Sequence, residues 1–315
     1  MYPDTFALGL TGWPLTYSLS PAIHTAALNA LHLEGEYRLF PVPPLPAGRE
    51  AMLNLLERLR SGELEGLNVT IPHKQVVLEC LDELTPLVKA VGAANLIYRR
   101  GMRLVGDNTD VIGFLADLKR VAPSLPLSRR QAAAVRPHVL ILGAGGAARA
   151  AAYGLAGLGW RVTIAARRIE QAAKLADDLC NSTRPAQANA IYLTARADLH
   201  PSIFDLAPGL NLITGLDLVV NATPAGMLSH EDENAWPEAL PLPGGAFIYD
   251  MVYVPRETAM VRRARSAGLG AANGSGMLVE QAAAAFELWT GRKAPRGVMR
   301  RAFFQNLSPA AKDWS

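Results

Sequence analysis

Cysteine is scarce in this chain: Cys80 and Cys180 are the only two among 315 residues. They show neither metal-ligand spacing nor a paired framework, so no metal is expected and a reducing cytoplasm is the natural compartment. Excess charge is lacking too. The formal net charge is +3, too balanced for a chain whose main partner is nucleic acid. At MYPDTFALGL no basic stretch precedes an apolar one, so no secretory signal is expected. The one long apolar run, Val139 to Trp160, carries Arg149 and six glycines, a poor composition for a membrane span. Hydrophobic residues make up 50% and charged ones 19%, which excludes disordered and low-complexity classes. The composition therefore describes a soluble globular protein with a small-molecule partner and neither nucleic acid nor membrane; a monomer or homodimer is expected, and no feature of the sequence chooses between them.

The length suggests roughly two domains at about 150 residues each. In the first third, β-rich runs alternate with amphipathic ones: FALGL, a helix from Ser20-Pro21, EYRLF, a helix over Ala51 to Leu59, LEGLNVTI, then NLIY and RLV. Ser20 reads as an N-cap followed by proline at the first helical position, with Gly35 as the stop. Val111 to Val121 reads as a helix, and Pro123 to Pro137 as a linker or surface insertion. A second series opens at Val139 and runs through RVTIAA, a helix over Glu170 to Leu179, DLVVNAT and AFIYDMV. Right-handed crossovers make this a doubly wound parallel sheet. Between Asn181 and Gly215, IYL is the one candidate strand. Gly276 to Gly291 and Val298 to Leu307 read as two helices. The fold class is two-domain α/β, with a Rossmann-like second half.

Gly143-Ala144-Gly145-Gly146-Ala147-Ala148 fits G-x-G-x-x-[G/A] between a buried strand and a helix. The first glycine makes the turn, the second admits a pyrophosphate to the backbone, and Ala148 keeps helix and sheet close. An NAD site places an acid about 20 residues downstream for the ribose hydroxyls. Here the second strand ends Ala165-Ala166-Arg167-Arg168. Two arginines suit a 2′-phosphate, so NADP is favoured over NAD; the plainer reading is that one or both cap a surface loop.

Four polar strings fall where loops leave strand ends: Ser18-Leu19-Ser20-Pro21, Asn68 to Lys74, Ala93-Ala94-Asn95, and Gly106 to Asp110. Taken singly, Ser20 and Thr70 are explained as helix caps and Asn108 and Asp110 as turn-formers. Lys74 stands out, because a helix beginning at Pro72 puts it in the first turn, where the dipole disfavours a cation by a few tenths of a kcal/mol and favours proton release. A solvated lysine is the plainer alternative.

Together the strings resemble the shikimate dehydrogenase family, which interconverts 3-dehydroshikimate and shikimate with NADPH. The similarity runs along nearly the whole chain in family order: PLTYSLSPAIH, GLNVTIPHK, GAANL, GDNTDVIGF, LGAGGAARA, NATPAGM, YDMVYVPRET and GSGMLVEQAAAAFELWTG. It implies that Lys74 and Asp110 form the catalytic pair at the C3 oxygen. Ser18, Ser20 and Tyr253 would bind the substrate carboxylate, and Thr70, Asn95 and Gln281 the ring oxygens. The pyrophosphate would lie on Gly143 to Ala148, and the 2′-phosphate on Arg167. Ala222, Thr223, Met251 and Gly274 would line the nicotinamide half. The family architecture implies a substrate domain from 1–110 and 275–315 and a cofactor domain from 111–274, with two connections that let a cleft close.

Chemistry agrees with these roles. Reducing an enone carbonyl needs a proton as well as the cofactor's hydride, and a lysine held by a carboxylate supplies it. The sequence departs from the family where Ala166-Arg167-Arg168 replaces the usual Asn-Arg-Thr and where GAANL replaces GAVNT. Two other readings compete: an NAD-using quinate enzyme, disfavoured by the missing acid, and a noncatalytic NADP-binding regulator, disfavoured by retention of both Lys74 and Asp110. The basic tail from Arg292 to Arg301 reads as a solvated helix face.

Overall fold

The computed structural model describes residues 5–128, 136–182, 215–227 and 233–307. The expected IYL strand, and part of the Pro123 to Pro137 insertion, lie outside the described residues. The chain divides into two compact units, Met1–Gly113 with Leu278–Ser315, and Phe114–Met277.

The first unit holds β1 (Thr5–Gly12), α1 (Ser20–Ala30), β2 (Glu34–Pro41), α2 (Arg49–Ser61), β3 (Gly66–Val69), β4 (Glu83–Leu84), α3 (Pro86–Val91), β5 (Leu96–Arg100) and β6 (Arg103–Asp107). They form a six-stranded sheet in the order β2-β1-β3-β5-β6-β4. Its first three strands are parallel, and β5 runs antiparallel to both β3 and β6. Helix α2 buries Met52, Leu55, Leu56 and Leu59, one stripe at helical spacing. Each such side chain contributes about 1.5–3 kcal/mol on full burial.

Two expectations about α1 need correction. Leu19, not Ser20, is the N-cap, and Ser20 opens the helix, its N–H donating to Ser18 Oγ at 3.3 Å. The helix stops at Leu31, whose N–H turns back to Ala27 and Leu28, and His32 follows at φ 54°. Gly35 lies inside β2, opposite Phe6.

His24 of α1 is fully buried, its ring stacked on Tyr37 at 4.3 Å and tilted against Trp289 at 5.5 Å. Neither ring nitrogen has a hydrogen-bond partner among the described residues, and burial pulls its pKa from 6.5 to about 3. The folded-state value lies below the unfolded one, so the unfolded chain takes the proton first. Stability present above pH 6.5 is therefore lost as pH falls toward about 3. The full loss is on the order of 5 kcal/mol, at about 1.4 kcal/mol for each pH unit of displacement. A His24→Phe variant keeps the stack and is expected to lose less Tm between pH 6.5 and pH 4 than the parent; equal slopes in the two melts would refute the assignment.

The second unit holds β7 (His138–Leu142), α5 (Gly146–Gly157), β8 (Arg161–Ala165), α6 (Ile169–Ser182), β9 (Leu218–Asn221), β10 (Phe247–Asp250), α7 (Ala259–Ser266) and β11 (Ala271–Asn273). The sheet order is β11-β10-β9-β7-β8, and every pairing is parallel. Strands β7 and β9 are buried at every position, as a sheet covered on both faces requires. From β7 the chain goes out to β8 on one side, and β9 pairs with β7 on the other. The strand order thus reverses between β7 and β9, where open α/β sheets bind ligands beyond the strand ends. Sequence reading missed α7 and β11. The helix is short and arginine-rich, and is capped by Thr258, whose Oγ accepts the Val261 N–H at 3.3 Å.

Helices α4 (Asp110–Val121) and α8 (Ser275–Thr290) each carry the chain from one unit into the other, and α9 (Arg296–Asn306) packs on α1. Among the described residues no helix is long and apolar enough to cross a membrane, and no group of three or more His, Cys, Asp or Glu is placed to hold a metal.

Candidate active site

In the first unit, Asn95 stands just before β5 with its backbone held on both sides. Its N–H donates to the Asp107 carbonyl (3.1 Å), and its own carbonyl accepts from Val69 N–H (2.9 Å) and Asn68 Nδ2 (3.1 Å). That anchoring leaves the buried side chain at the start of α4. Its Nδ2 donates to Thr109 Oγ1 (2.9 Å), Asp110 Oδ1 (2.9 Å) and Gln281 Oε1 (3.2 Å), while its Oδ1 accepts the Thr109 N–H at 2.7 Å. The remaining oxygen of Asp110, Oδ2, takes Lys74 Nζ at 2.5 Å. The two charged side chains are only 13% and 6% exposed. The structure thus brings together Lys74, Asn95, Asp110 and Gln281, of which Asn95 and Gln281 are 186 positions apart.

Lys74 does not lie in the first turn of an α-helix. Residues 71–75 form turns, followed by a short 3₁₀ segment over Val76–Cys80. The Leu78 N–H, which would close an α-helical turn on Lys74, goes instead to the Gln75 carbonyl at 3.3 Å, and the Lys74 carbonyl accepts the Ala94 N–H at 2.8 Å. The dipole argument for Lys74 therefore fails, and Asp110 is what holds the ammonium. Asn108 keeps the plain role, its Oδ1 accepting from Val111 N–H and its Nδ2 donating to the Ala93 carbonyl.

Ser18, Ser20 and Thr70 also belong to the first unit, but no hydrogen bond among the described residues ties their side chains to the Lys74 group. Sequence reading missed the link behind them. Tyr37 OH donates to Asn68 Oδ1 at 2.8 Å, and Asn68 in turn donates to the Asn95 carbonyl. The Tyr37 phenol is pushed well above its ordinary range by burial, partly opposed by the neighbouring Ser20 hydroxyl. The available signal was Asn68 itself, a polar residue in a strand otherwise fit for full burial.

In the second unit, Gly143 leaves β7 at φ +106°, with its N–H on the Ala165 carbonyl at 2.7 Å. A Cβ at that position would sit 3.0 Å from the Ala222 carbonyl oxygen, while one at Gly145 would meet nothing within 4 Å. Gly146, Ala147 and Ala148 then open α5, a helix with no side-chain cap, and Ala144 and Ala148 are buried. An uncapped N-terminus behind an open glycine is the geometry an anion needs. Gly143→Ala combines strain with a close contact and is expected to raise the Kd for NADPH about tenfold, read by titration of its fluorescence; affinity equal to the parent would refute it.

Arg167 and Arg168 follow β8, exposed, and neither guanidinium is paired among the described residues. Ala222 and Thr223 leave β9, and Met251 leaves β10 with its N–H on the Asn221 carbonyl at 2.9 Å. Gly274 donates to the Val252 carbonyl at 3.2 Å. Tyr253 belongs to this unit also, partly buried, its phenol pushed up to about 12 by that burial.

Comparison with known proteins bears on this arrangement. Residues 10–97 match the shikimate dehydrogenase substrate binding domain, and residues 274–302 the shikimate 5′-dehydrogenase C-terminal domain. The shikimate dehydrogenase (NADP(+)) of Salinibacter ruber is 41% identical over 294 residues, covering 92% of this chain and 94% of the relative. Among solved structures, the shikimate 5-dehydrogenase of Thermus thermophilus in complex with NADP(H) and shikimate superposes with a TM-score of 0.75. It is 33% identical over 96% of this chain and 99% of its own. A quinate dehydrogenase from Corynebacterium glutamicum in complex with NAD gives 0.78 at 30% identity, over 96% of this chain and 100% of that one. With relatives of that identity spanning nearly its full length, the chain belongs to the shikimate dehydrogenase family.

Proposed function

We propose that the chain catalyses the reversible NADP-dependent reduction of 3-dehydroshikimate to shikimate, with Lys74 and Asp110 as the proton-transfer pair. The observation that carries this reading is the 2.5 Å contact of Lys74 Nζ with Asp110 Oδ2, flanked by the Asn95 and Gln281 amides. When bound, NADPH supplies a hydride to the carbonyl carbon. Lys74 gives a proton to the C3 oxygen, and its partly exposed amine regains one from water. In the reverse direction the same amine takes the hydroxyl proton. Asp110 only accepts hydrogen bonds, and because Asn95 occupies its other oxygen it cannot swing away from the lysine. Ser18, Ser20 and Tyr253 hold the substrate carboxylate, and Thr70, Asn95 and Gln281 its ring oxygens. Such hydroxyl and amide partners disfavour analogues that lack a hydroxyl, because buried polar groups would then go unpaired.

The cofactor residues fit the dinucleotide on the chain's own geometry: the left-handed turn at Gly143, the open Gly145, the uncapped α5, and two exposed arginines where an NAD site would carry an acid. A charge-assisted hydrogen bond contributes about 1.5–3 kcal/mol. Replacing Arg167 and Arg168 together by alanine is therefore expected to raise the KM for NADP by about tenfold or more and leave that for NAD nearly unchanged; equal changes for both cofactors would remove the 2′-phosphate role. The enzyme is taken to act in the cytoplasm as a monomer or homodimer. Initial rates with shikimate and quinate, each with NADP and NAD, test the whole reading. Shikimate with NADP is expected to be fastest; quinate with NAD leading would overturn both substrate and cofactor.

A further inference from the structure

Strands β9 and β10 end on adjacent polar residues, Asn221 and Asp250, which are paired in register and fully buried. Asn221 Nδ2 donates to Asp250 Oδ1 (2.8 Å) and to the Ala225 carbonyl (3.2 Å). Its Oδ1 accepts both the Thr223 N–H (3.0 Å) and the Thr223 hydroxyl (2.7 Å). Asp250 Oδ1 also accepts the Val252 N–H (3.1 Å), and Oδ2 accepts the Thr258 hydroxyl (2.6 Å). One side-chain pair therefore fixes two loops, the one leaving β9 through Ala222 and Thr223 and the one leaving β10 through Met251 and Val252.

The two groups fix each other's orientation. An ionised carboxylate only accepts, so the Asn221 amide must turn its N–H₂ toward Asp250 and its oxygen toward Thr223. Burying this many polar atoms costs free energy that an apolar pair would not incur. A purely structural join between strand ends needs no such network.

We propose that Asn221 and Asp250 are positioning residues, which set the Ala222–Thr223 and Met251 backbone against the nicotinamide end of NADPH and leave the adenosine end to the glycine turn and Arg167. This rests on the NADP reading above. The pair contacts neither substrate nor reacting atoms; its effect passes through the two loops. Misplacement of about 1 Å by a residue remote from the chemistry costs up to about 10²-fold in rate.

The test compares the whole protein with Asn221→Ala. The measurements are kcat with shikimate and NADP, and calorimetric Kd values for NADPH and for adenosine 2′,5′-bisphosphate, which carries only the adenosine end. Asn221→Ala is expected to lower kcat by about 10- to 100-fold and weaken NADPH binding at least about threefold, with the Kd for the bisphosphate within about twofold of the parent. Unchanged kcat and NADPH affinity would overturn the proposal, and so would loss of both ligands in parallel, the mark of a merely structural role. If Asn221→Ala does not fold, Asn221→Ser, which keeps a hydroxyl donor toward Asp250 but gives Thr223 no amide oxygen, decides by the same criteria. A parent protein that does not turn over shikimate would overturn the proposed reaction alone, since the two binding constants still decide the role of Asn221.

Discussion

Lys74→Ala is expected to lower the rate of shikimate oxidation by about 10²–10⁴-fold, the range a positioned proton-transfer group supplies. The amine is the one cationic donor hydrogen-bonded to Asp110 among the described residues, at 2.5 Å. Under the proposed substrate contacts Asn95 and Gln281 still hold the ring, so the loss should fall on kcat more than on KM. The glycine turn and Arg167 are untouched, so NADPH should bind the variant within about twofold of the parent, which separates lost chemistry from lost fold. Asp110→Asn should give a similar drop by a different route, since an amide presents only one accepting oxygen to Lys74 and Asn95 together. Turnover by Lys74→Ala within about threefold of the parent would remove Lys74 as the proton-transfer group and leave the reaction to another donor.

The second large effect is on stability. Gly276, the second residue of α8, packs against the fully buried carboxylate of Asp117 so closely that a Cβ would overlap its Oδ1 and Cγ and lie 2.6 Å from Oδ2. That carboxylate cannot move aside at low cost. Its Oδ2 accepts the Tyr249 hydroxyl at 2.8 Å, and its Oδ1 accepts Arg120 Nη2 at 2.7 Å and Nε at 3.0 Å. Gly276→Ala must break these bonds or displace the start of α8. Overpacking at about 1–3 kcal/mol, plus a buried hydrogen bond lost at about 1–3 kcal/mol, gives on the order of 4 kcal/mol. At about 2–4 °C per kcal/mol, calorimetry should record a Tm lower by about 10 °C. Adding Asp117→Ala removes the obstacle, so the double variant should be less destabilised than the sum of the singles. A Gly276→Ala melt that coincides with the parent's would show that the contact carries no such load.

The glycine turn was readable in the sequence because strand, turn and helix leave local marks: an apolar run, glycines at fixed offsets, an alanine-rich face. Strands β7 to β10 and helices α8 and α9 were readable for the same reason. Lys74 departs from the helix that Pro72 suggests: Leu78 N–H bonds Gln75 and the distant Ala94 N–H bonds Lys74, and no pattern around Pro72 encodes that long-range pairing. The Asn95–Gln281 contact spans 186 positions, so only likeness to a family could place Gln281 in the site. Asn221 and Asp250 stood in quoted strings, NATPAGM and YDMVYVPRET, yet their pairing depends on strand order, which single residues do not reveal. Thr258 was invisible for a simpler reason, since the helix it caps is too short and too charged to announce itself.

The first unit is built from two stretches of chain separated by the whole of the second. During synthesis all of Phe114–Met277 is polymerised before Phe286, Trp289 or α9, against which the His24–Tyr37 stack and α1 pack. The amino-terminal segment must therefore wait, its apolar helix face uncovered, until the carboxy-terminal helices leave the ribosome. A chain truncated after Met277 and released from the ribosome would carry the whole second unit joined to an incomplete first one, and holdase chaperones should engage it at its amino-terminal end.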